Sequence, residues 1–269
     1  MSTHTQKVAD WIGHQLGSRT IEWNERDAIL FALAVGAQPD SELDLVYERA
    51  LRVLPTFGLT LGQWAPDMLG WMGAFPVDTS LHVGQRIVVH NELPAHGQAT
   101  LAARVDNVWD KGSAAIFEVS VNCEFFTAVW SIFAPGCGGF GGERGPSVTT
   151  SKQLSPVTTV RTADNSAALY RLCGDRHAIH IDPAAARAIG QDRPVLHGLA
   201  TLSASALGLA RYLGKHPADL AVLSGRFRSM VFPGADLQIA IDNSRAGGFV
   251  VSNSHGVIID DALATFRDV

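Results

Sequence analysis

The sequence predicts an α+β fold in which two antiparallel sheets each wrap around a central helix. Three observations carry the prediction. A glycine-rich seam divides the chain near its middle, the same order of elements recurs on both sides of it, and in each half extended segments follow a helical stretch.

In the first half, residues 25–35 read as a helix ending near Gly36, and 53–58 lead into a second helical stretch. Segments rich in β-formers follow at 86–92, 98–109, 114–123 and 128–134, with turn signals at 94–97 and 110–112. Six glycines then fall between 136 and 145, too many for a helix or strand interior. A Ser/Thr-rich stretch follows, so 136–160 reads as a linker between a domain of residues 1–135 and one of residues 161–269. A phosphate-cradling role for the glycines would need a Lys–Ser/Thr pair and a following helix, and neither is present. In the second half, 165–173 read as a helix ending at Gly174, and 195–199 lead into a helix reaching Leu213. Its run LATLSASALGLARY is rich in small residues, which lets a curved sheet approach closely. Strands are expected at 222–231, 236–242, 248–253 and 257–267, with turns at 232–234 and 245–248.

Composition bounds the function. Hydrophobic residues make up 46% and charged residues 17%, enough for a substantial core. A net charge of −5 argues against non-specific nucleic-acid binding. Cys123, Cys137 and Cys173 show no paired spacing, so neither a disulfide framework nor a cysteine zinc site is expected. No apolar run is long enough to cross a membrane, and residues 1–20 lack an apolar signal core, so a cytoplasmic protein is expected.

The halves are alike in order but not in chemistry. Where the first has Ala37–Gln38 and Leu54–Pro55, the second has Asp175–Arg176 and Leu196–His197. A bent loop can aim Asp175 and His180 at one point, and Gly198 begins a helix whose free N–H groups favour negative charge. A carboxylate, an imidazole and such an N–H together suit acid–base chemistry on a carbonyl compound. Asp182 before Pro183 is the better helix cap, which frees Asp175 from that duty. His177, His180, Asp182 and His197 lack established zinc spacing, so no metal is expected.

Residues 170–183 (Tyr-Arg-Leu-Cys-Gly-Asp-Arg-His-Ala-Ile-His-Ile-Asp-Pro) and 194–199 (Pro-Val-Leu-His-Gly-Leu) resemble the motifs of the MaoC-like, or type 2, enoyl-CoA hydratase family. Those motifs run Gly-Asp-x-Asn-Pro-Leu-His-x-Asp-Pro and Pro-Ile-Leu-His-Gly-Leu. Residues 53–57, 109–112 and 138–142 are similar to the degenerate N-terminal half of the family's long members, so the likeness covers nearly the whole chain. The resemblance implies a double hot dog fold and reversible hydration of a trans-2-enoyl-CoA to an (R)-3-hydroxyacyl-CoA, in fatty-acyl or steroid side-chain breakdown; the alternatives are a hot dog acyl-CoA thioesterase and a non-catalytic acyl-CoA-binding subunit. It implies a homodimer and no cofactor beyond the CoA thioester.

By the same likeness Asp175 and His180 share the proton transfers, and the Gly198 N–H stabilises the enolate oxygen. His177, Arg176 and His197 support the loop, and Arg228, Arg226, Arg144 and Lys111 are candidates for the CoA phosphates. The first half is expected to accommodate the acyl chain, with Trp64, Trp71, Met68, Met72 and Phe75 available to line a tunnel. One departure stands out. His177–Ala178 replaces the family's Asn-Pro, which puts a larger, titratable side chain in the loop and removes a backbone restraint.

Overall fold

The computed structural model describes residues 8–147 and 153–268. Residues 148–152 of the expected linker, and the first seven residues of the stretch read as lacking a signal core, lie outside them. The strands are β1 (Gln15–Trp23), β2 (Leu81–Val89), β3 (Gly97–Asp110), β4 (Ala114–Asn122), β5 (Phe126–Pro135), β6 (Leu154–Arg161), β7 (Leu220–Phe227), β8 (Asp236–Asp242), β9 (Gly248–Asn253) and β10 (Gly256–Phe266). The helices are α1 (Glu25–Ala34), α2 (Leu43–Val46), α3 (Phe57–Gly62), α4 (Trp64–Trp71), α5 (Ser166–Tyr170), α6 (Pro183–Ala188) and α7 (Gly198–Leu213).

The two expected sheets fuse into one. The spatial order is β1-β3-β4-β5-β2-β7-β10-β9-β8-β6, so each half repeats the other's order and the halves join where β2 pairs antiparallel with β7. At that junction Ile87 faces Leu223, and both are fully buried. Burying such a pair stabilises by about 1.5–3 kcal/mol per side chain, which makes the seam part of the core.

The two outermost strands escaped the sequence reading. β1 shows little apolar alternation because it is an edge strand, exposed at most positions. β6 occupies residues 154–160 of the stretch expected to be linker. Pro156, at a register irregularity, and two threonines disguise it, and edge position makes them tolerable.

α7 is buried from Leu199 to Ala210. A Cβ on Gly208 would fall 2.1 Å from Val160 Cγ2, so the small residue is what lets β6 close over the helix. Its counterpart in the first half is broken at Gln63 into α3 and α4. The glycine seam also has a local cause. The Asp110 carboxylate accepts from the N–H groups of Gly112 (2.8 Å), Gly139 (2.9 Å) and Gly141 (2.8 Å), led by Gly139 in holding it down to about 2. The loop therefore cradles an anion of its own chain.

Ion pairs clamp the halves together. Arg211 on α7 binds Glu42 through Nε (2.7 Å) and Nη2 (2.6 Å), and Arg52 reaches Asp219 at 2.6 Å. Glu42 is buried, so Arg211→Ala leaves a carboxylate desolvated and unpaired. Urea denaturation should read a loss of about 3 kcal/mol.

Candidate active site

The site is built on a bend that only glycine permits. α5 runs on into a 3-10 turn, Arg171–Cys173, which ends at Gly174. Gly174 has φ 152°, and a Cβ there would meet the Thr60 carbonyl at 3.3 Å. The chain then turns through Asp175 into a second 3-10 turn, Ala178–His180. Asp182 caps α6, its Oδ1 accepting from the Ala184 N–H at 2.7 Å, with Pro183 in the first turn as expected. A second segment is laid alongside: the Val195 N–H donates to the Ile179 carbonyl (3.1 Å) and the Leu196 N–H to the Val231 carbonyl (2.7 Å). His197 and Gly198 follow at the start of α7.

These segments bring one donor atom each of Asp175, His180 and His197 within 4.8 Å of one another. Asp175 Oδ1 receives the His177 ring at Nδ1 (2.7 Å) and the His177 backbone N–H (3.1 Å). His180 Nδ1 donates to the Val195 carbonyl at 2.8 Å, so its proton sits there and Nε2 carries the lone pair. His197 Nε2 donates to the Asp175 carbonyl at 3.1 Å. The His180 and His197 rings stack at 3.6 Å with a 23° tilt.

Burial and neighbours set the charges. Burial lowers His180, and burial together with the adjacent His180 ring pushes His197 down to about 3, so both imidazoles are neutral. Burial alone would raise the Asp175 carboxyl. The hydrogen bond from His177 and its positive charge outweigh it and hold the group well below the usual carboxylate range. The arrangement thus offers an ionised carboxylate beside an imidazole with a free lone pair. Gly198, as the first residue of α7, has an N–H with no acceptor inside the helix. Asp175, His180 and His197 are also the donors nearest to a metal-binding set. Tautomers fixed by backbone carbonyls suit proton transfer between Asp175 and His180.

Comparison with known proteins agrees with this geometry. A MaoC-like domain matches residues 146–256, and an MFE-2 hydratase 2 N-terminal domain matches residues 21–127. The chain is 33% identical over 248 residues to the enoyl-CoA hydratase ChsH3 of Mycobacterium tuberculosis, covering 86% of this chain and 87% of that protein. The chain belongs to the MaoC-like hydratase family. A probable enoyl-CoA hydratase 2 of Dictyostelium discoideum is 30% identical over 292 residues, covering 96% of this chain and 97% of its own. The solved MaoC-like dehydratase of Phytophthora capsici superposes with a TM-score of 0.84 at 23% identity, over 97% of this chain and 98% of that one. The fold is the family's double hot dog.

Against the family expectation, the structure brings some residues together and leaves others apart. His177 and His197 both bind the Asp175 residue, whereas Arg176 is exposed on the loop. Lys111 donates to the Arg144 carbonyl and lies near enough to Arg226 that, after burial, the two guanidiniums lower its ammonium. Arg228 is separate and paired with Asp260 at 2.7 Å. In the first half a cavity of about 390 Å³ lies between β1, α1, α3, α4 and residues 172–174. Trp64 and Trp71 line it. Met68, Met72 and Phe75 do not. Phe75, beyond the end of α4, packs on Phe117 at 5.2 Å, and Met72, the residue after α4, is exposed.

Three residues near the site carried no role in the sequence reading. Tyr170 tilts over His197 at 4.7 Å and is fully buried. His82, from β2, stands 5.0 Å from Phe227, the ring that lies 3.2 Å from where a Gly198 Cβ would be. Asp67, from α4, lines the cavity and approaches His177. Tyr170 lies inside the quoted motif and could have been noticed. Nothing in the sequence places His82 or Asp67 there.

The neutral imidazoles tie stability to pH. A histidine whose folded value is lowered stabilises above its unfolded value, near 6.5, and that contribution is lost as pH falls toward the folded value. Between pH 7 and 5 the wild type should lose roughly 2 kcal/mol through His197, with His180 acting in the same direction. Denaturation at the two pH values checks this, and His197→Gln should flatten the dependence.

Proposed function

We propose that the protein hydrates trans-2-enoyl-CoA thioesters reversibly to (R)-3-hydroxyacyl-CoA, with Asp175, His180 and the Gly198 N–H as the working groups. The observation that carries the proposal is the convergence of an ionised carboxylate and a neutral imidazole whose tautomer is fixed by a backbone carbonyl. A water held between Asp175 Oδ2 and His180 Nε2 is correctly polarised for addition. As its oxygen bonds to C3, one proton passes to this pair, and the C2–C3 π electrons move toward the thioester oxygen. The Gly198 N–H meets the developing enolate charge. The proton is then returned to C2 from the same side, giving syn addition and leaving both groups in their starting states. No electrons are exchanged, so no redox cofactor has a part in this chemistry.

The acyl chain is assigned to the first-half cavity, whose volume of about 390 Å³ lies within the range of small-molecule sites. A fatty chain or a steroid side chain is the proposed occupant. The cluster of Lys111, Arg144 and Arg226 is assigned to the CoA phosphates, in preference to the Asp260-paired Arg228. Family likeness extends the proposal to a cytoplasmic homodimer, to be read by sedimentation and cell fractionation. Among the described residues no helix is long and apolar enough to cross a membrane.

Loss of enoyl absorbance on adding crotonyl-CoA or longer enoyl-CoAs tests the activity. Asp175→Asn and His180→Ala should each lower kcat roughly 100- to 10,000-fold while circular dichroism stays unchanged. Wild-type turnover in either variant, or release of free CoA thiol without hydration, would reject the assignment.

A further inference from the structure

His177 is the residue that the hydration chemistry leaves unexplained. It stands at the position where the family motif has asparagine, and it meets two carboxylates. Its Nδ1 lies 2.7 Å from Asp175 Oδ1, and its Nε2 lies 4.0 Å from Asp67 Oδ1. The two nitrogens point away from each other across the ring, so an acid stands on either side of it. A neutral imidazole can donate at one nitrogen, whereas the cation donates at both. An asparagine amide at this place could bind Asp175 but could carry no charge.

Asp67 comes from α4, in the other half of the fold. Its carboxylate has weak support of its own, since Gln63 Nε2 stands 3.5 Å from Oδ1. Burial raises it, helped by the nearby Asp175 carboxylate, and outweighs the opposing effects of the adjacent His177 and, more weakly, of Arg19, which lies over the Trp64 ring at 4.5 Å. The other titratable groups near His177 are His180 and His197, both neutral, while Arg176 is exposed on the same loop.

We propose that Asp67 holds His177 as a cation against Asp175, making His177 a positioning residue that engages one oxygen of Asp175 and leaves the other free for the reacting water. The proposal rests on the hydratase reading of the same site and gives the first half a part in the chemistry beyond housing the acyl chain. The hydrogen bond to Asp175 raises His177 to about 9, with Asp67 acting in the same direction. The sign follows: the cation is present below that value and is lost above it, so the clamp is closed through neutral pH and opens in the alkaline range.

Two measurements test this. Hydration of an enoyl-CoA between pH 6 and 10 should decline on the alkaline side in the wild type, with a midpoint near 9. Asp67→Asn should move that midpoint down by roughly one unit. His177→Asn should abolish the alkaline limb and lower kcat about tenfold, with KM nearly unchanged. Independently of activity, the His177 imidazole resonance, identified by its disappearance in His177→Asn, should titrate near 9 in the wild type and lower in Asp67→Asn. An active wild type whose alkaline limb survives in His177→Asn overturns the proposal. So does a His177 that titrates near the ordinary 6.5, or one unmoved by Asp67→Asn. A protein with no hydratase activity but a high His177 midpoint would instead sink the hydratase reading and leave the two-carboxylate contact standing.

Discussion

The antiparallel pairing of β2 with β7 is the contact on which the rest of the molecule depends. Each half taken alone would end in an unpaired edge, a liability for any sheet. Joined, the halves bury Ile87 against Leu223 and place the first half's helices against the loop that carries Asp175. Thr60 meets Gly174, and Phe31 lies 5.8 Å from Tyr170, so the first half forms one wall of the second half's site. The Arg211–Glu42 and Arg52–Asp219 pairs hold that placement from the far side.

Within this frame, desolvation is the main influence on the protonation states. Two stacked imidazoles in a buried setting resist taking up protons, and backbone carbonyls at Val195 and Asp175 decide which nitrogen carries the single hydrogen of each ring. The carboxylate among them stays ionised only because the hydrogen bond and charge of His177 overcome the same desolvation. Opposite protonation preferences thus arise within a few ångströms from one burial effect and a few directed contacts. That separation is what acid–base chemistry at neutral pH requires.

Much of this was legible beforehand, and what was missed shares a cause. Central strands bury one face, so their sequences alternate and were found. β1 and β6 lie at the sheet's two edges, where exposed residues erase the alternation, and β6 passed for linker. Asp182, with Pro183 beside it, announced its cap because capping is local. Of the five residues named for the tunnel lining, two line the cavity. Trp64 and Trp71 face the cavity, whereas Met72 and Phe75 lie past the end of α4, where its periodicity no longer places them.

The sequence alone determined the duplicated α+β architecture, the loop from Gly174 to Pro183 and the candidate identity of Asp175, His180 and Gly198. All of these rest on short-range order: periodicity, caps, turns and a contiguous motif. Only the tertiary structure decided that the two sheets are one, that the glycine loop closes on Asp110, and that His82 and Asp67 approach the site from the other half. Asp67 and His177 are more than a hundred positions apart along the chain. Their meeting depends on the seam between β2 and β7 and on the packing of α4, and no local pattern encodes either.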